Sequence, residues 1–379
     1  LLLLVCISLI VLILSCSLGW VVAKISLKLK NKSFATVLLS LVFIGVYCFF
    51  YFKAQTLLQE LLLNAAVYGA KIRGAAYPLY LLGRMGEGDL AAILTVTAVV
   101  LALFALMWYM LSRSFLKIAT ATGKSDRKVY RETRTEKRSA FAALFSKELA
   151  RFTGSPNYML NCGLGTLFLP ALGVFLLIKG SSFLGSLSEF LSECPGALPV
   201  LLCAAICLVA SMNDSAAPSV SLEGKSYWIV RSMPVETKKV LQAKLSLSNS
   251  LAIAPALLMT LAAALALRLP AAETALLLAC QLLFVLLTAN VGLMEDLRHC
   301  NLDWINETQA AKQGAGVLLS MLLGFGFVVA VGALYFFLLA ELMPTTAFLG
   351  LALALMAILY ALTARWLMTR GVKRFETLR

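Results

Sequence analysis

Apolar residues in this chain come in blocks from which Asp, Glu, Lys and Arg are absent. Each block runs to roughly 20 residues, the length a helix needs to cross the hydrocarbon core of a bilayer. Composition agrees, at 61% hydrophobic and only 14% charged residues, against about half and a quarter in an ordinary soluble domain. One soluble core cannot absorb that excess, which excludes a single globular enzyme and predicts an all-α polytopic membrane protein. The net charge of +14 then reads as the basic side of a membrane protein, with membrane lipids as neighbours and no nucleic-acid partner.

Nine spans can be drawn, at about 1–23, 35–52, 89–112, 158–178, 196–212, 246–267, 274–294, 315–340 and 346–365. The connections on one side (24–34, 113–157, 213–245, 295–314 and the tail) carry 27 Lys and Arg, and those on the other side carry six. That asymmetry predicts a multi-pass protein of the bacterial plasma membrane with a cytoplasmic C-terminus. Segment 56–84 is broken by Glu60, Asn64, Lys71, Arg73, Pro78 and Arg84. As a further full span it would turn the basic loop 113–157 outward, so an external or re-entrant hairpin is expected.

The order of spans and loops in 1–118 is repeated in hydropathy and charge by 274–379, and membrane transporters are often built from repeated halves. On that reading 139–379 is a complete six-span half, 119–138 is a polar cytoplasmic linker, and 1–118 holds the last three spans of a first half. The chain opens at Leu1 inside an apolar run, so it reads as beginning within a span, with three spans, on the order of 135 residues, preceding it.

No acidic, basic or histidine side chain falls in the middle of a span, which argues against ion-coupled transport. Intramembrane polarity comes from Asn161, Asn249, Gln281 and Asn290, residues that more often bond between helices than bind substrate. The single histidine, His299, rules out an HExxH zinc protease. Nine scattered cysteines without a CxxC pair, with only Cys194 in an external loop, indicate neither disulfides nor a metal site. Gly123-Lys124-Ser125 imitates the end of a phosphate-binding loop, but Ile118 stands where the motif needs glycine. No catalytic residue and no cofactor is therefore assigned to this chain, and any ATP chemistry belongs to another.

Three polar segments stand out. Ser139 to Asn157 is amphipathic, with Phe141, Leu144, Phe145, Leu149 and Phe152 on one face and Lys147 and Arg151 at its edge. Glu148 lies among the aromatics and needs a partner such as Arg151 or a neighbouring chain. In 213–245, Ser221 can cap a short helix, Tyr227 to Val230 form an aromatic and aliphatic knob, and Pro234 opens a second helix from Val235 to Leu245. Such a knob suits docking into a groove of a soluble partner, and an interfacial Lys, Trp and Tyr belt fits the composition equally well. In the third segment Asp303 can cap a helix through Lys312.

Phe145-Ser146-Lys147-Glu148, Gly154-Ser155-Pro156-Asn157-Tyr158, Ser221 to Trp228, Ser232-Met233-Pro234-Val235 and Leu302 to Glu307 together resemble the permease subunits of ABC transporters of the ABC-2 type, in particular a group of bacterial exporter permeases. The resemblance covers 139–379 well and 1–118 only through its span pattern. It implies a permease of two repeated six-span halves, with a connecting helix at 141–152 (Phe145, Lys147, Glu148, Arg151). It also implies a coupling helix at about 222–232, with Glu223, Gly224, Lys225, Tyr227, Trp228 and Pro234 meeting a separate ATP-binding subunit that holds ATP and Mg. The function so implied is a non-enzymatic subunit of an ATP-driven exporter, acting as a dimer or heterodimer of permeases on a substrate the sequence does not identify. Two alternatives remain: an inner-face lipid or polyprenyl transferase using Asp296, Asp303 and Glu307, and a structural subunit that transports nothing.

Overall fold

A computed structural model describes residues 1–26, 32–63, 77–119, 139–190, 197–212 and 214–378, with side chains described except at 25–26, 32–35, 56–63, 117–119 and 181–190. Gly123-Lys124-Ser125, Cys194 and all but the first residue of the 119–138 linker lie outside the described residues. Every regular element among those described is helical. The chain divides into two compact units, Leu1–Arg134 and Thr135–Arg379.

The first unit holds α1 (Leu2–Ser26), α2 (Lys32–Leu63), α3 (Tyr77–Gly86) and α4 (Leu90–Ala119). A small core of Cys6, Met85, Ala92, Val96 and Val100 joins α1, α3 and α4, and Trp20 Nε1 donates to Ser114 Oγ at 2.7 Å. Within the segment 56–84, where a hairpin is expected, α2 runs unbroken through Leu57 to Leu63 and a separate ten-residue helix follows at Tyr77–Gly86. Leucines outnumber the breaking residues in the first of these stretches, and residues 64–76 lie outside the described residues.

The second unit begins with α5 (Ala140–Gly154), capped by Ser139, whose hydroxyl accepts from Ala142 N. Ser155 caps α6 (Pro156–Cys162), which has proline in its first turn, where a missing N–H does no harm. Next come α7 (Leu164–Phe190), α8 (Leu198–Ser211), a 3₁₀ turn at Ser221–Ser226, and α9 (Tyr227–Ser232). They are followed by α10 (Thr237–Leu267), α11 (Ala271–Arg298), α12 (Glu307–Ala311), α13 (Ala315–Leu334), α14 (Thr345–Trp366) and α15 (Val372–Thr377).

Among the described residues seven helices are long and apolar enough to cross a membrane, or eight if α6 and the first part of α7, bent by 44°, form one span. The nine-span expectation therefore contracts at two places. The span at 158–178 is a broken pair, and the one at 196–212 is a helix of 14 residues, about 21 Å at 1.5 Å per residue and short of the roughly 30 Å core.

Helix α11 is the hub of the second unit, packing against α8, α10, α13 and α14 over a core that includes Phe284, Leu287, Ile206, Met259 and Leu349. Gln281, fully buried, donates to Cys203 O at 3.0 Å and ties α11 to α8. On α14 the two faces separate: Phe348, Leu349, Ala352 and Met356 are buried, while Leu351, Leu355, Ile358 and Leu362 stand exposed. An outward leucine stripe of that length is stable against lipid and costly in water.

Candidate functional site: a buried ion cluster beneath an exposed knob

At one end of the second unit the amphipathic helix α5, the 3₁₀ turn and the start of α10 meet. Helical spacing on α5 buries Leu144, Glu148 and Phe152 and leaves Phe141 and Leu149 exposed, so the apolar face read from sequence is split. Glu148 projects inward to meet Glu223 of the 3₁₀ turn, and both carboxylates are almost wholly buried. Two like charges side by side in a low dielectric require cations, and three converge on them.

Lys244 of α10, fully buried, donates to Glu148 Oε1 at 3.1 Å, to Glu223 Oε1 at 2.8 Å and to Ser219 O at 2.7 Å. All three ammonium protons are thereby used. Lys147 reaches Glu223 at 2.7 Å and Glu148 at 3.1 Å. Arg151 pairs with Glu148 at 3.4 Å and donates from its other terminal nitrogen to Glu223 Oε2. Burial alone would raise both carboxyls. Lys244 first, with Arg151 and Lys147, outweighs it and holds both below the usual carboxylate range. Burial pulls the Arg151 guanidinium down, but Glu223 and Glu148 leave it above its ordinary value. The partner required by Glu148 is thus supplied within the chain, by Arg151 among others.

Behind the cluster, segment 214–220 is an irregular stretch that is nonetheless buried from Ser215 onward. Its polar groups are met from inside. Asp296 of α11 accepts from Val220 N at 2.6 Å and from the amide and hydroxyl of Ser221. Ser221 therefore does not cap a helix as its sequence position suggests, because its hydroxyl is taken by Asp296. Trp304 Nε1 donates to Ser221 O at 2.7 Å, and its ring lies where a side chain on Gly224 would project, 3.0 Å from an added Cβ. Gly224 also has φ 51°, the left-handed region that glycine tolerates. Asp214 accepts from Ser320 Oγ at 2.7 Å and from the amides of Ala216 and Ala217, filling the space that a Cβ on Gly292 would occupy. Burial pushes the Asp214 carboxyl up to about 6, against these three donors.

The C-terminal helix closes the same end. Tyr227 OH donates to Phe375 O, with the two rings edge to face. Arg374 donates to Leu297 O at 2.7 Å and Arg298 O at 2.8 Å, satisfying carbonyls at the end of α11.

Of the six residues expected to form a coupling segment, Glu223, Gly224 and Tyr227 are buried in this base, whereas Lys225, Trp228 and Pro234 face outward. Trp228 is 66% exposed and Ile229 42%. The four residues expected in a connecting helix all lie on α5, and Lys147, Glu148 and Arg151 join the ion cluster while Phe145 packs against the apolar cluster that holds Phe152 and Tyr158. Pro234 precedes rather than opens the next helix, which starts at Thr237 after Glu236 and continues unbroken to Leu267. Asn306, not Asp303, caps α12, accepting from Thr308 N at 3.1 Å. Asp296 is buried and Asp303 exposed, and no set of three His, Cys, Asp or Glu among the described residues could hold a metal, so Asp296, Asp303 and Glu307 form no metal-binding group. Sequence reasoning missed Lys244, Ser219 and Asp296 as partners, since nothing local marks contacts made across 21 to 96 residues of chain.

A family model described as "Putative ATP-binding cassette" matches residues 196–378, slightly under half of the chain. No curated protein and no solved structure matches. The family match overturns the assignment to ABC-2 permeases and the exporter-permease function drawn from it, because the matching model describes a cassette that binds nucleotide rather than a permease. Nothing favours the transferase or structural alternatives. The chain is similar, over 196–378, to an ATP-binding cassette family.

Proposed function

We propose that this chain is a membrane-embedded component of an ATP-binding cassette system, and that the ion cluster and knob form the junction through which its helices meet the nucleotide-binding part. No movement of substrate is assigned to it. The observation that carries the reading is the division of one short segment. Glu223, Gly224 and Tyr227 anchor it in a base held by two carboxylates and three cations, while Trp228 and Ile229 project. A rigidly based aromatic projection transmits force; a loosely held one would yield.

In this reading the nucleotide-binding part is a separate chain holding ATP and Mg, the present chain has no catalytic role, and a second copy or a related chain completes the membrane assembly. The knob and the C-terminus face the cytoplasm of a bacterium, in keeping with the bias of 27 basic residues to six. The wording of the family description favours a second reading, in which the polypeptide itself binds nucleotide. Equilibrium binding of a fluorescent ATP analogue to the purified chain, alone and after reconstitution with an ATP-hydrolysing partner, separates them. The first reading expects binding only in the assembly, and saturable binding to the isolated chain contradicts it.

A further inference from the structure

A cleft of about 510 Å³ opens between α5, α10, α11 and α14. Gln242 and Ser246 of α10, Asn290 of α11 and Tyr360 of α14 supply its polar lining, and Leu245 and Met368 lie beside them. The side chains of Gln242, Ser246 and Tyr360 make no hydrogen bond to another described residue. Asn290, 96% buried, has a single long contact, from Nδ2 to Thr363 Oγ1 at 3.4 Å. An amide can make four hydrogen bonds.

Ser246 lies nine residues inside the start of α10 and Asn290 eight residues before the end of α11, about 12–14 Å along each helix at 1.5 Å per residue. Lys244 and the exposed Gln242 lie within about one turn of Ser246, so the cleft sits at the polar end of these helices, at the level of lipid headgroups, where unused donors and acceptors are favourable against an uncharged polar head. No charged side chain lines the cleft, so nothing there would neutralise a phosphate or a carboxylate. The apolar neighbours suit an aliphatic chain.

We infer that this cleft is a binding site for a neutral amphiphile, a lipid whose uncharged hydroxyl- or ester-bearing head bonds to Ser246, Asn290, Gln242 and Tyr360 while its chain lies along Leu245 and Met368. The inference does not depend on the coupling role of the knob.

Native mass spectrometry of the full chain titrated with dioleoylglycerol or dioleoylphosphatidylglycerol tests it. The expected result is retention of one dioleoylglycerol at a concentration at least about tenfold below that needed for the anionic lipid. Ser246→Leu, which fills a half-exposed position, should abolish that preference. Tyr360→Phe, which removes one hydroxyl and keeps the ring, should weaken retention by about fivefold. Asn290→Gln should preserve it. Equal retention of the two lipids, or wild-type retention in both Ser246→Leu and Tyr360→Phe at unchanged melting temperature, would overturn the inference.

Discussion

Lys244 shows how much one side chain decides here. Its ammonium is buried and fully bonded, and it bridges two carboxylates from segments far apart in the chain. Replacing it with methionine leaves two buried carboxylates facing only Lys147 and Arg151, and loss of one member of such a group costs about 3–5 kcal/mol. Thermal unfolding in detergent should therefore show Lys244→Met far less stable than Lys239→Met, an exposed pair partner of Glu236. The need for a partner at Glu148 was legible in the sequence, because a carboxylate among aromatics is untenable alone. Lys244 was not, since a lysine just before an apolar stretch has the pattern of a snorkelling belt.

Titration follows the same logic with two signs. Glu148 and Glu223 are held low in the folded state, so the stability they contribute is present at neutral pH and is lost only as pH falls below the ordinary carboxylate range. Asp214 has the opposite sign: its folded value of about 6 lies above the ordinary 3.8. The folded state therefore keeps a proton that the unfolded chain has released, and stability falls as pH rises from about 4 to 6, by at most about 3 kcal/mol. Asp214→Asn should flatten that part of the profile in denaturant titrations at each pH. A slope unchanged by the substitution would assign the titration to another group.

Among the elements, the 3₁₀ turn is the one where backbone and packing constraints coincide. Gly224 combines a positive φ with the Trp304 ring against its open face. Gly224 lies at φ 51° and ψ −139°, a region only glycine visits readily, so Gly224→Ala must strain the backbone by about 1–3 kcal/mol and displace the indole. The expected outcome is a lower melting temperature with a red-shifted tryptophan emission. Helix existence was legible from the apolar blocks, and the amphipathic α5 from its spacing. Boundaries were less so. Pro234 looked like a helix start, but the helix waits until Thr237, and Ser221 looked like a cap, but its hydroxyl serves Asp296 from another helix. The 14-residue helix α8 gained apparent length from apolar neighbours that do not continue the helix. For Ser221 the deciding contact is tertiary, where a one-dimensional pattern carries no signal.

For the whole molecule, the charge asymmetry predicts the proposed orientation. Single cysteines introduced at Lys225 and Arg370 in a background free of the native thiols should resist a membrane-impermeant maleimide added to intact cells, and one at Arg268 should react. Labelling of Lys225→Cys from outside would invert the proposed topology. The helical character of the chain and its long apolar helices were readable from composition and period. The family to which 196–378 is similar was not, because the polar motifs at Glu148, Glu223 and Trp304 pointed to permeases while the match over that stretch describes a cassette.

The central claim, that the exposed knob on its buried ionic base couples these helices to ATP hydrolysis, is tested most directly by Trp228→Ala. Trp228 is 66% exposed, so its truncation should leave the melting temperature of the chain unchanged. ATP turnover by the reconstituted assembly should drop to that of the free ATP-hydrolysing partner. Turnover equal to wild type in that variant, with the protein folded and inserted, would contradict the account.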